Sequence, residues 1–533
     1  MGKINIYSNK MAKDRMPGMV KPLVWSVTVP LLLNSWKKLF VQLTGEKGLD
    51  ISGMIRAFYY RAYFNVTLLG DVLQLLGMPK ESIEILTGEG EPKQRFMSNF
   101  GMIRHLPRML FFAIDKISFA KRINQFLLIQ NQKYRQIMPA DLSKLNENET
   151  LQLISELYGL NEESSYLLIL VQLINGFKMS VLSKFLSRYR IISQNSNRID
   201  AKMNVDLILD VQLSILHEKF AKLSQALKSK LKSVNPTELL ESRDFGEFGR
   251  SFKSFIDRFG HLSDSSNDFS HLQWKENLPL LLEVIAGYVR PEPSTSTEIP
   301  SLRTRAEPFR SLFSKIVSRL LGSNFLAYQA YAAQVGFIYV YGYSLFRPCF
   351  LRLGVLYKNW GLIESVGDIL YLTYEEIRKT ASSNQMRRGL RATIEKRKNE
   401  MNCSKDIVLP DVIFGELLKP VAVEPQETPS LQGLAVSKGY YEGRAKVLRG
   451  LSDFPKIAYG DVIVIPYSDV GWTPLFAKAK AVISESGGML SHCSIVAREY
   501  CIPAVVSVKN AMQIKENSIV AVDGFKGIVT IKE

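Results

Sequence analysis

Residues 485–492, Glu485-Ser486-Gly487-Gly488-Met489-Leu490-Ser491-His492, have the types and spacing that covalent group transfer requires. A β-branched run ends in a Gly-Gly turn, a small hydroxyl residue follows in an N-cap position, and a histidine then opens a helix expected over 491–500. The positive end of a helix dipole lowers the pKa of an imidazole placed there. The ring then stays neutral and nucleophilic, and an anionic phosphoryl group attached to it is stabilised. Glycines at 487 and 488 remove side chains beside the ring, so a bulky phosphate donor can approach. On local pattern alone, a histidine that caps a helix for structural reasons fits as well.

The elements that must hold this histidine lie on either side of it. Asp461–Pro466, Ala479–Ser484, Ala504–Val508, Ser518–Val522 and Gly527–Ile531 are short β-branched runs, and Asp523-Gly524-Phe525-Lys526-Gly527 supplies a turn between the last two. Together with the helix they predict a compact α/β domain over 433–533. Pro410, Pro420, Pro425 and Pro429 make residues 407–432 an extended, semi-rigid connector. Residues 1–406 read as a mainly α-helical body. The expected fold class is therefore multidomain: a large helical body, then a compact α/β domain.

Within the body, Leu207, Leu213, Leu216, Phe220, Leu223 and Leu227 recur at helical spacing, with Lys219, Lys222 and Lys228 on other faces. They predict one core-facing amphipathic helix, with a lipid-surface or nucleic-acid helix as the other reading. Residues 290–300, rich in Pro, Ser and Thr, predict a mobile loop. Residues 322–346 pass without a charge and are long enough to span a bilayer. Asn324, Gln329, Gln334 and five tyrosines interrupt them, which favours a buried helix and no transmembrane segment.

A chain of 533 residues has room for two to four domains. With 46% hydrophobic and 22% charged residues it is neither disordered nor fibrous. Its 68 Lys+Arg against 51 Asp+Glu leave a formal charge of +17. That excess calls for an anionic partner: nucleic acid, a phosphorylated ligand, a membrane surface or an acidic protein. Residues 433–533 hold 12 basic and 9 acidic residues, so 14 of the 17 net charges lie outside them. Cys349, Cys403, Cys493 and Cys501 show no CxxC and no Cys/His ladder, so no disulfide framework and no metal site are expected. They read as reduced thiols. The start, Met1–Lys10, lacks the apolar stretch of a signal peptide, and a cytoplasmic location is expected.

At full length the segment resembles the phosphohistidine swivelling domain of the phosphoenolpyruvate (PEP)-utilising enzymes, which include PEP synthase, pyruvate phosphate dikinase and rifampicin phosphotransferase. The resemblance runs through Gly487, Gly488, Ser491, His492, Ala497, Arg498 and Ile502-Pro503-Ala504-Val505-Val506, with Asp469 to Phe476 and Gly433 to Gly439 upstream. It implies that His492 is the catalytic phosphocarrier, supported by Gly487, Gly488, Ser491, Thr473 and Arg498. Thr473 and Ser491 would hold the imidazole or the phosphate. Arg498 would neutralise charge or make a structural salt bridge. More weakly, Met16 to Ser26, Phe259-Gly260-His261 through Asp268 to Trp274 and Glu276, Asp368 to Glu376, and Arg397-Lys398 resemble the acceptor-binding body of the same group. His261 and Asp268 would then be acceptor-site residues for proton transfer or orientation, or members of a structural network.

Two departures shape the expected function. Relatives carry charges on a helix lining the acceptor pocket where this sequence aligns Ala332, Ala333 and Gly336, and Leu262 and Ser266 likewise replace charged residues. The resemblance also brings an ATP-grasp domain that no segment here supplies. Gly88-Glu89-Gly90 reads as a turn, and Met1–Lys10 as the strand that would adjoin such a domain. ATP and Mg2+ are therefore expected on a separate ATP-grasp subunit, similar to PEP synthase's N-terminal part, in an arrangement resembling phenylphosphate synthase. Phosphoryl transfer would run through His492 to a small-molecule acceptor. The alternative is a non-catalytic regulatory or binding protein that keeps the swivelling domain as a relic or switch. Nucleic acid is not needed to explain the charge.

Overall fold

The computed structural model describes residues 5–13, 15–75, 119–139, 141–188, 205–233, 245–288, 331–382, 387, 389–407, 409–415, 430–489 and 491–532. The loop expected at 290–300 and the turn at Gly88–Gly90 lie outside them. After a four-residue helix at Lys10–Lys13, the described helices are α1 (Pro22–Thr44), α2 (Val66–Leu75), α3 (Phe119–Ile137) and α4 (Glu147–Arg188). Then come α5 (Val205–Ala221), α6 (Gln225–Ser233), α7 (Gly246–Phe259) and α8 (Leu278–Ala286). After helical residues 331–344 follow α9 (Phe346–Asn359), α10 (Tyr374–Ser382), α11 (Leu390–Cys403), the short α12 (Thr473–Phe476) and α13 (His492–Glu499).

The chain forms two compact units, and they do not follow the expected boundary at 406. One comprises residues 1–173, 265–271 and 335–426; the other comprises 174–264, 272–334 and 427–533.

In the first unit, helix signals act as the sequence dictates. Pro22 stands at the first turn of α1, and Gly45, at φ 78°, ends it with its N–H donating to the Val41 carbonyl at 2.8 Å. The body is not helical throughout, however. Strands β1 (Ile6–Ser8), β2 (Ile55–Phe58), β3 (Arg61–Asn65) and β4 (Val412–Phe414) form an antiparallel sheet in the order β2-β3-β1-β4. The expected connector at 407–432 therefore begins as a strand, because Ile413 joins Tyr7, Phe58 and Tyr63 in a small apolar cluster. Residues 416–429 lie outside the described part.

The hairpin β2–β3 turns through Tyr59 and Tyr60 at φ 48° and 64°, a conformation normally given to Asn-Gly. Tyr60 is fixed there: its hydroxyl donates to Glu400 at 2.6 Å and its carbonyl accepts from the Val20 N–H at 2.8 Å. Tyr59 is exposed. Tyr59→Asn should relieve the left-handed strain and stabilise the chain by about 0.5–1 kcal/mol, read as a higher urea midpoint.

In the second unit, the single helix expected around 207–227 is two. Ser224 interrupts it, and its hydroxyl accepts from the Leu227 N–H at 3.3 Å to start α6 afresh. Leu209, Leu213 and Leu216 of α5 are buried as its apolar stripe requires. The C-terminal sheet contains β5 (Ser430–Gln432), β6 (Leu434–Ser437), β7 (Tyr440–Val447), β8 (Val462–Ile465), β9 (Ala481–Ser484), β10 (Ala504–Val506), β11 (Ile519–Asp523) and β12 (Ile528–Lys532). Their order is β5-β12-β11-β7-β8-β9-β10-β6. The edge strands β5 and β6 are consecutive through Gly433, so the sheet folds back on itself, and the sheet region begins at 430 rather than 433.

Strands β7 to β10 run parallel to one another. All four residues of β8 and of β9 are buried, as continuous apolar runs in a two-sided sheet must be. Their core comprises Ala445, Val462, Val464, Ala481, Ile483, Val505, Val520, Val522 and Val529 among others. The β9–α13–β10 crossover places the start of α13 at the carboxyl ends of the parallel strands, where α/β sheets present their ligand sites.

Candidate active site

His492 is the first residue of α13, and Ser491 takes the N-cap position with extended backbone. The Ser491 hydroxyl does not cap a backbone N–H; it lies 3.0 Å from the Ser494 hydroxyl. The imidazole is partly buried, meets the edge of Phe476 with ring centroids 6.3 Å apart, and has Nδ1 3.0 Å from the Ser468 hydroxyl. Ser468 follows the end of β8 just as residues 485–491 follow the end of β9. Two neighbouring strand tips thus furnish the imidazole and the hydroxyl that orients it.

The glycine loop is held from behind. The Gly487 carbonyl accepts from Ser507 Oγ at 2.6 Å, the Gly488 carbonyl from Ser494 Oγ at 2.7 Å, and the Met489 carbonyl from Arg498 Nη2 at 2.6 Å. Three carbonyl dipoles that would repel a phosphoryl group are thereby occupied. Gly487 is required by its backbone, with φ at 117°, and by a Cβ position only 2.8 Å from the Ser491 hydroxyl. Arg498 braces the loop, its Nε also donating to the Ser494 carbonyl at 2.8 Å. Burial pulls its pKa down, against the Glu499 carboxylate beside it. Thr473 is fully buried and donates to the Val470 carbonyl at 2.8 Å, so its hydroxyl serves the start of α12.

The body residues separate. His261 belongs to the second unit and Asp268 to the first. His261 is buried, and that burial lowers its pKa to about 3, with Lys275 adding to the shift and the Arg258 carbonyl opposing it. At neutral pH it is uncharged. Asp268, also buried, accepts from the Ser270 N–H at 2.8 Å and lies 3.8 Å from His271 Nε2. Burial lowers the pKa of Lys21, while Asp268 opposes that shift. Ala332, Ala333 and Gly336 lie partly buried on helical residues 331–344.

The other body motifs form ion pairs in the first unit. Arg397 makes two bonds to Glu376, at 2.7 and 2.9 Å, and Lys398 meets Asp368 at 2.8 Å. Burial raises the pKa of Asp368, but its bonds to Lys398 and Ser365 outweigh it, and the carboxyl sits below its ordinary range. A depressed folded pKa gives stability that is present above the unfolded value of about 4 and lost as pH falls through the folded one. The urea midpoint of the wild type should therefore fall more than that of Asp368→Asn between pH 6 and pH 3.

Residues 457–527 match the family described as PEP-utilising enzyme, mobile domain. That match and the relatives place the C-terminal part of the chain in the PEP-utilising enzyme family. The rifampicin phosphotransferase of Bacillus cereus is 25% identical over 315 residues, covering 55% of this chain and 36% of that protein. Its namesake in Bacillus subtilis is 33% identical over 193 residues, covering 36% and 22%. The prodigiosin synthesizing transferase PigC of Serratia marcescens is 25% identical over 441 residues, covering 77% and 48%. The alignments thus span less than half the length of each of these relatives. Among the described residues no helix is long and apolar enough to cross a membrane, and no three His, Cys, Asp or Glu side chains gather to hold a metal ion.

Sequence reasoning did not single out Ser468, Phe476, Ser494 or Ser507. A usable signal existed for Ser468 alone: a hydroxyl residue just past the apolar run 461–466, at the same strand end as the histidine.

Proposed function

We propose that this chain is the phosphocarrier and acceptor part of a dikinase-type phosphotransferase. His492 takes a phosphoryl group from ATP bound with Mg2+ on a separate ATP-grasp subunit and passes it to a small-molecule acceptor at the helical body. The observation that carries the reading is the pairing of His492, at the start of α13, with the Ser468 hydroxyl on Nδ1. With Nδ1 engaged, Nε2 is the nitrogen that attacks phosphorus. Attack on the β-phosphorus breaks its P–O bond to AMP, which leaves, and forms the N–P bond; water then cleaves the γ-phosphate away as inorganic phosphate, so that a single phosphoryl group stays on the ring. The helix N-terminus stabilises the added negative charge, and the three occupied loop carbonyls keep their dipoles from opposing it. The N–P bond is then broken by the acceptor oxygen, which restores the neutral imidazole.

Family resemblance supports the swing of the C-terminal domain and the division of labour with an ATP-grasp chain; the first places to seek that chain are adjacent reading frames. Two-stage labelling tests the reading. The chain, incubated with a cognate ATP-grasp protein and ATP labelled in the β-phosphate, should take up acid-labile label, which then leaves on addition of a cell extract. Label that forms and is never discharged would favour the regulatory switch instead. Ser468→Ala should slow uptake about tenfold, the effect of losing one hydrogen bond that orients a reacting nitrogen.

A further inference from the structure

Within the second unit, the C-terminal sheet region is gripped by acids and carbonyls of the preceding helical segments. Asp264, just beyond the Gly260-His261 turn, makes three bonds to it. Its Oδ1 accepts from the Leu451 N–H at 3.0 Å, and its main-chain carbonyl accepts from Trp472 Nε1 at 2.9 Å and the Tyr467 hydroxyl at 3.2 Å. Asp210 of α5 accepts from the Tyr500 hydroxyl at 2.9 Å, at the far end of the histidine helix, and from the Tyr288 hydroxyl. The fit is close: a Cβ on Gly471 would stand 2.2 Å from the Ser263 carbonyl oxygen, and one on Gly450 2.6 Å from Asp264 Oδ2. In these contacts the domain side offers neutral donors and glycines to anionic or carbonyl acceptors.

The Asp264 carbonyl takes its two donors from residues 467 and 472, which bracket Ser468. Ser468 is the residue whose hydroxyl meets His492 Nδ1. We infer that Asp264 is a positioning residue for His492, and that residues 260–264 with Asp210 form a docking cradle in which the seated domain has its phosphate-carrying imidazole fixed in one orientation. Docking and chemistry are thereby coupled: the 467–472 loop is held only when the domain is seated, and the Ser468 hydroxyl then selects Nε2 as the attacking nitrogen. The consequence for His492 rests on its proposed role as phosphocarrier, whereas the cradle does not.

The test uses the full chain and potassium phosphoramidate, which phosphorylates histidine without a partner enzyme: its P–N bond breaks, ammonia leaves and a ring nitrogen bonds to phosphorus. Gly471→Ala wedges the cradle open without removing a hydrogen bond, and Asp264→Ala removes the Leu451 bond. In both, hydrogen exchange at the Leu451 amide and the Trp472 indole should rise about tenfold, while the amides of β8 keep their wild-type protection. The wild type should give the Nε2 phosphohistidine isomer alone at His492, and both variants a mixture with the Nδ1 isomer. Ser468→Ala should give the same mixture with exchange at Leu451 and Trp472 unchanged, which locates the coupling in that hydroxyl. Wild-type exchange in Gly471→Ala would remove the cradle. Faster exchange with the Nε2 isomer still alone would remove Asp264 as a positioning residue. No phosphohistidine in the wild type would overturn the carrier role, and the positioning role with it, leaving the exchange rates to decide the cradle.

Discussion

His492→Gln is expected to reduce acid-labile phosphoryl labelling of the chain to background while leaving its thermal midpoint within about 1 °C of wild type. Glutamine keeps a polar side chain at the first position of α13 but has no nucleophilic nitrogen. The imidazole is partly buried and rests against Phe476, so removing it opens no large cavity. The sheet beneath, with Val464 and Ile483 fully buried, is untouched. Loss of labelling without loss of stability is the signature of a covalent carrier. A histidine that served only to cap a helix would show the reverse, since its replacement would cost stability and leave labelling at other sites intact.

Gly487→Val should have the second largest effect. The backbone there stands at φ 117°, a region closed to β-branched residues, and any Cβ would press on the Ser491 hydroxyl from 2.8 Å. The strain is on the order of 1–3 kcal/mol. Placed wholly on the transfer-competent loop, that corresponds to about a 5- to 150-fold slower labelling of His492. The loop cannot relax easily, because Ser507, Ser494 and Arg498 hold the carbonyls of Gly487, Gly488 and Met489. Labelling rates for Gly487→Val against Ser507→Ala would show whether the loop's backbone or its bracing matters more; the account expects the glycine substitution to be the more severe.

Much of this site was legible because its signals are local. The Gly-Gly turn, the N-cap serine and the histidine form one uninterrupted stretch, and the flanking strands at 462–465, 481–484, 504–506, 519–523 and 528–532 are continuous β-branched runs. What escaped depends on distant partners. Ser468 is 24 residues from His492 and meets it only because β8 and β9 are parallel neighbours. Asp264 lies 208 residues from Trp472, and nothing in its own surroundings signals the bonds it makes. The first five residues of strand β7, Tyr440-Tyr441-Glu442-Gly443-Arg444, alternate between exposed and half-buried positions before the buried Ala445, so its mixed polarity hid a strand that a period-two reading would have found. The β2–β3 hairpin was missed for a chemical reason: its turn is Tyr-Tyr, held by Glu400 and Val20, where a sequence signal would be Asn-Gly. Proline density between 407 and 432 argued for an extended connector, yet it could not reveal that Val412–Phe414 pairs with residues 6–8.

His261 belongs to the second unit and Asp268 to the first. His261, uncharged at neutral pH, fits the Gly260–Asp264 turn structurally, and Asp268 fits a local network with Ser270 and His271. Which body residues meet an acceptor is a question for the labelled chain, once a compound that discharges it is found.

The central claim is that His492 carries phosphate, and mass spectrometry of the peptide between Lys480 and Arg498 tests it most directly. After incubation of the full chain with ATP and its ATP-grasp partner, the account predicts one phosphoryl group on Nε2 of His492, labile to acid and stable to alkali. Phosphate found on Ser486, Ser491 or Ser494, or an unmodified peptide under conditions in which the partner consumes ATP and forms AMP, would contradict it.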